Sequence, residues 1–132
     1  MPVINWVFLC DYAYIDATGK KSIIGMFEYM KVKKLPINWP QLYVAIDLTA
    51  TQGEEFKMKV LLTSPSGKEI GKIDFQMRGA KANQVNNQKA AKIFLPLSFY
   101  NLKITETGEY HIELFVDDIP IHMIPLNVIS AS

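Results

Sequence analysis

Hydrophobic residues in this chain recur at every second position, and four turns of one form punctuate the runs. Phe56, Met58, Val60 and Leu62 alternate with Lys57, Lys59, Leu61 and Thr63. Ile73, Phe75 and Met77 alternate with Lys72, Asp74, Gln76 and Arg78. Tyr110, Ile112, Leu114 and Val116 alternate with His111, Glu113, Phe115 and Asp117. Successive strand side chains point to opposite faces, so these runs read as half-buried antiparallel strands. Asp16-Ala17-Thr18-Gly19, Ala50-Thr51-Gln52-Gly53, Ser64-Pro65-Ser66-Gly67 and Thr105-Glu106-Thr107-Gly108 each suit a type I turn closed by a left-handed glycine. The pattern predicts strands near 3–15, 20–33, 41–50, 54–63, 69–79, 92–101, 109–117 and 119–129. The fold class that follows is all-β: a single-domain antiparallel β-sandwich over residues 1–132, with seven to eight strands. Its expected core draws on Phe56, Met58, Val60, Ile73, Phe75, Tyr110, Ile112, Leu114 and Val116. The one helix-permissive stretch, 81–92, holds Asn83, Asn86 and Asn87 and reads as a loop.

A chain of 132 residues can build one core without disulfides or metal. Its single cysteine, Cys10, cannot bridge internally, and MPVINWVFLC lacks the basic start of a secretory signal. No apolar run approaches the roughly 20 residues of a membrane helix. The expectation is a cytoplasmic protein with no membrane association. Net charge is +1 but segregated: Arg78 to Lys103 contains five basic residues and no acid, and five acids with no Lys or Arg follow. Nucleic-acid binding is not expected, because a binding groove wants denser Lys/Arg among stacking aromatics. Contact between basic and acidic patches of two copies suits the asymmetry better.

Candidate chemistry is sparse. Cys10 shares its alternate positions with Trp6, Phe8, Tyr12 and Tyr14, which suits a buried thiol of raised pKa and not a nucleophile. Both faces of that strand are largely apolar, which points to a central strand with one face in the core and the other under a loop or partner. Asp11, beside Cys10, is expected to need polar partners. In the last hairpin a two-residue turn at Asp117–Asp118 would set Val116 against Ile119 and Glu113 against His122. His111, Glu113 and His122 would then share one face as a two-His, one-carboxylate metal triad; an ordinary polar face explains the same residues. Two loops are candidate partner or ligand surfaces. KVKKLPINWPQ (31–41) carries Lys33, Lys34 and Trp39, with Leu35 and Trp39 also suited to plugging an open sandwich end. RGAKANQVNNQKAAK (78–92) carries Arg78, Lys81 and Lys89.

The order of CDYAYIDATGKKSIIGMFEYMKVKKLP, LYVAIDL and TGEYHIELFVDDIPIHMIPLNV resembles a family of small uncharacterised bacterial proteins, a domain of unknown function. Cys10-Asp11, Gly25-Met26-Phe27, Pro36, Leu42 to Leu48, Gly108-Glu109-Tyr110 and Pro125-Leu126-Asn127-Val128 carry the likeness. It departs at Asp117-Asp118, where an Asp-Gly-like turn is expected. The resemblance implies an immunoglobulin-like β-sandwich and supplies no activity, catalytic residue or cofactor. The reading is therefore a non-catalytic binding or assembly module acting through protein contacts, with homo-oligomers expected. The alternatives are a metal-binding protein or metal-dependent enzyme using the triad, and a polar-ligand or carbohydrate-binding sandwich using Trp39 and the 78–92 loop.

Overall fold

The computed structural model of the chain describes residues 2–78 and 90–131. Nine strands run β1 (Val3–Ile15), β2 (Lys21–Phe27), β3 (Tyr29–Val32), β4 (Ile37–Thr51), β5 (Phe56–Thr63), β6 (Glu69–Met77), β7 (Ala90–Ile104), β8 (Gly108–Val116) and β9 (Ile119–Ser130). A front sheet has the order β2-β1-β4-β7 and a back sheet the order β3-β9-β8-β5-β6. All pairings are antiparallel except that of β3 with β9.

Alternation becomes burial as expected. Phe56, Met58, Val60 and Leu62 of β5 face Tyr110, Ile112, Leu114 and Val116 of β8 in the core, none more than 1% exposed. β4 completes it from the front sheet with Leu42, Val44, Ile46 and Leu48, all fully buried. Ile73 and Phe75 are only partly buried, because β6 is an edge strand. The four closing glycines, Gly19, Gly53, Gly67 and Gly108, all take positive φ.

The stretch 20–33, expected as one strand, is two, which gives nine strands and not eight. The chain leaves the front sheet at Glu28 and joins the back sheet as β3, parallel to β9. Two bonds fix the crossing: Asn127 N–H donates to the Glu28 carbonyl (3.3 Å) and Ala131 N–H to the Val32 carbonyl (2.8 Å). One flank of the sandwich is closed, since a Cβ on Gly71 of β6 would lie 2.8 Å from the Phe99 ring of β7. The opposite flank, between β1 and β9, stays open.

Tyr110 locks the start of β8. Its ring is fully buried, and its hydroxyl donates to the Glu106 carbonyl four residues upstream at 2.8 Å. Burial pushes the Tyr110 hydroxyl pKa up. A tyrosine tied back across the preceding turn, beside sheet neighbours in the order β9-β8-β5, is an immunoglobulin-like arrangement. Tyr110→Phe should leave the fold intact and remove about 1–2 kcal/mol of stability. Urea unfolding would register this as a lower midpoint at unchanged slope.

Candidate functional site

The β1–β2 hairpin departs from a flat sheet, and one residue makes this possible. Cys10 and Ala13 are both buried in one cluster, although Asp11 and Tyr12 between them are exposed. A regular strand cannot turn positions i and i+3 to the same side, so the ribbon kinks at Asp11. Opposite it, Gly25 sits at φ 70°, a conformation that side chains other than glycine rarely adopt. A Cβ there would also collide with the Asp11 carboxylate. Asp11, expected on an apolar face in need of polar partners, is instead exposed at this kink.

Beyond the kink the hairpin folds over the outer face of the front sheet. Ala13 and Ile23 pack with Cys10, Ala45, Phe94, Trp6 and Tyr43, a second small core on the side away from the main one. Lys21 lies opposite Ile15 in the hairpin, yet its Nζ reaches Asp47 at 3.0 Å, and Asp47 lies opposite Trp6. Nine residues of straight strand span about 30 Å, far beyond a lysine side chain. Only a folded-back hairpin closes that gap.

Asp47 holds the flap down. Its side chain is 2% exposed and accepts from Asn5 Nδ2 at 2.8 Å as well as from Lys21. Burial raises its pKa, but the bonds from Asn5 and Lys21 and the nearby Lys21 and Lys92 charges outweigh that and hold the carboxyl below its usual range. Asn5 is presented by a bulge between Ile4 and Trp6 and bonds Thr49 as well (2.9 Å). The Lys21 ammonium also sits 5.6 Å over the Phe94 ring. The LYVAIDL run contains the signal for this latch, since a carboxylate inside an apolar strand needs partners. Asn5 and Lys21 carry no such signal. Cys10 is fully buried beneath the flap, and burial raises its thiol pKa.

The flap and the strand entering it expose a set of large apolar side chains. Phe8, Tyr12, Tyr14, Ile24 and Met26 are 38%, 45%, 38%, 54% and 55% exposed. Trp6 stacks on Phe8 with centroids 5.2 Å apart, and Tyr12 meets Tyr43 edge-on at 5.0 Å. Burial and then the neighbouring Tyr100 hydroxyl push the Tyr43 pKa up, while Ser98 and Tyr43 lower that of Tyr100. On the open flank, Val7, Phe8, Leu9, Phe27, Ile124 and Pro125 line a groove of about 370 Å³. The arrangement is suited to apolar contact with a partner and holds no assembled acid–base pair.

The predicted site residues scatter. Lys33 and Lys34 are exposed in the loop before β4. Trp39 packs against the main core together with Leu35 and Ile37, as a plug would. It also lines a shallow pocket with Asp11, Tyr29 and Lys31. Arg78 is exposed just past β6, while Lys81 and Lys89 lie outside the described residues, as does most of the 81–92 stretch.

The last hairpin turns at Asp117–Asp118 with Val116 against Ile119, as predicted, with φ 49° and 66°. Asp117 stands where glycine is usual because its carboxylate accepts the Lys57 N–H at 2.9 Å, tying the turn to β5. A register shift then follows at Leu114/Phe115, so Glu113 faces Met123 and His122 faces Leu114. This corrects the triad: His111, Glu113 and His122 are not brought together. His111 bonds Glu109 instead (2.9 Å). Among the described residues no group of three His, Cys, Asp or Glu side chains is placed to hold a metal.

Comparison with known proteins agrees with the fold. A family model described as a family of unknown function (DUF6941) matches residues 5–129, and the chain belongs to that family. An immunoglobulin-like protein from Pseudomonas aeruginosa, known from a crystal structure, is similar in fold with a TM-score of 0.51 at 12% identity. The alignment covers 97% of this chain and 96% of that one. No match emerges among curated proteins.

Two outcomes test the flap. Gly25→Ala should cost about 1–3 kcal/mol, because left-handed strain and the Asp11 collision act together; the loss should appear in urea unfolding. Asp47→Asn should cost about 1–2 kcal/mol at pH 7. The Asp47 pKa is depressed on folding, so its stabilisation is present above the unfolded value of about 3.9 and lost as pH falls through the folded value. The thermal stabilities of the two proteins should therefore begin to converge only below about pH 4 and meet once pH is below the depressed folded value.

Proposed function

We propose that this member of a family of unknown function is a non-catalytic binding or assembly module that works through protein contacts on the β1–β2 flap. The observation that carries the reading is the concentration of exposed Phe8, Tyr12, Tyr14, Ile24 and Met26 on one hairpin. Large contiguous apolar patches mark interaction surfaces in soluble proteins, and Tyr, Phe and Met are enriched at the centres of interfaces. The patch is rigid, since the latch at Asp47 and the small core under Ala13 and Ile23 fix its shape. A preformed surface loses little entropy when it is covered. The one thiol, buried with a raised pKa, suits packing and not attack, and a free thiol fits the expected cytoplasmic setting.

Sedimentation velocity from low to high micromolar concentration tests the reading. A species heavier than the 15.0 kDa chain is expected, and Met26→Asp with Ile24→Asp should return it to monomer with unchanged circular dichroism. Association that survives both substitutions would remove the flap from the reading.

A further inference from the structure

The flap leaves part of its own strand uncovered. Pairing of β2 with β1 runs from Lys21 opposite Ile15 to Phe27 opposite Leu9, and then the chain departs. On that side Val3 to Phe8 has no strand beside it among the described residues, while β4 occupies the other side. The open groove begins there, lined by Val7, Phe8 and Phe27. An edge of this kind presents unpaired backbone N–H and C=O groups and templates the addition of a strand.

Other edges carry the usual protection. β6 exposes Glu69, Lys72 and Asp74, and the part of β9 that β3 does not reach contains Pro120 and Pro125. β7 carries exposed Lys92 and Lys103 and contains Pro96, and β2 begins at Lys21 and is kinked at Gly25. Charge and proline are how exposed edges avoid pairing. Val3-Ile4-Asn5-Trp6-Val7-Phe8 has neither, and its one irregularity is the bulge at Asn5.

Building on the assembly reading above, we propose that the occupant is a second copy, its Val3–Phe8 edge pairing antiparallel with the same edge of the first. A two-fold axis between Asn5 and Trp6 sets Val3 opposite Phe8 of the second copy, so each strand fills the place where the other's β2 stops. An uncharged edge meets an uncharged edge, and Glu28, exposed where β2 stops, is the one charged residue among the described residues that lines the groove beside it. The side chains beside the edge suit such a contact: Phe8, Met26 and Tyr29, 38%, 55% and 52% exposed, line one open pocket where β2 stops, and Val3 at the other end of the edge is 61% exposed.

Cross-linking tests the register. Val3 and Phe8 lie too far apart along one strand to bridge within a chain, so Val3→Cys/Phe8→Cys should oxidise to a covalent dimer at least tenfold faster than an Ile119→Cys control. Ile119 is exposed beside the Asp117–Asp118 turn, away from the edge. Val3→Lys, at a residue already 61% exposed, should return the uncross-linked protein to monomer without loss of fold. If wild type is a dimer but neither variant behaves so, edge pairing is overturned and the assembly reading stands. A monomer of 15.0 kDa at all concentrations overturns both. A monomer that takes another protein's strand on this edge overturns the second copy as occupant and leaves binding through protein contacts in place.

Discussion

The kink at Asp11 and Gly25 is the constraint on which the flap and its small second core depend. Without it the β1–β2 hairpin would continue as a flat extension of the front sheet. Cys10, Ala45 and Phe94 would then face water, and Lys21 would stand far from Asp47. With it, the hairpin returns over the sheet, a second small core forms, and one buried carboxylate ties three segments of chain together. The free edge of β1 has a separate origin: β2 leaves the front sheet after Phe27 to become β3, so Val3 to Phe8 has no strand on that side among the described residues.

The back sheet was legible because its signals are local. Alternation in β5 and β8 and the Gly67 and Gly108 turns follow from strand pleat and turn sterics over a few residues. Tyr110 lies in the core as its alternation predicts, although its bond to Glu106 depends on a turn geometry that composition does not specify. The flap was not legible. Cys10 and Ala13 sharing a cluster contradicts strict period two, and Gly25 inside an apolar run reads equally well as an ordinary strand glycine.

The same limit explains the scattered candidate site. The turn falls at Asp117–Asp118 as the sequence predicts, but a register shift three residues further sends His122 to face Leu114. One irregularity in a ladder reassigns every side chain beyond it, and nothing in EYHIELFVDDIPIHM marks its position. The cover over the first strand was half visible. The apolar character of both faces of β1 pointed to a cover, but the cover over Cys10 proved to be the strand's own continuation, and Trp39 serves the core.

The parallel pairing of β3 with β9 has a consequence for how the chain comes to its shape. Its partners stand nearly a hundred residues apart, Tyr29 beside Asn127, whereas the β1–β2 hairpin closes over a four-residue turn. Local contacts form before distant ones, because closing a long loop costs entropy before any contact offsets it. On the ribosome the aromatic hairpin can therefore form early, while β3 waits for the last strand to emerge. The back sheet can gain β3 only after the whole stretch from Tyr29 to Asn127 has been made.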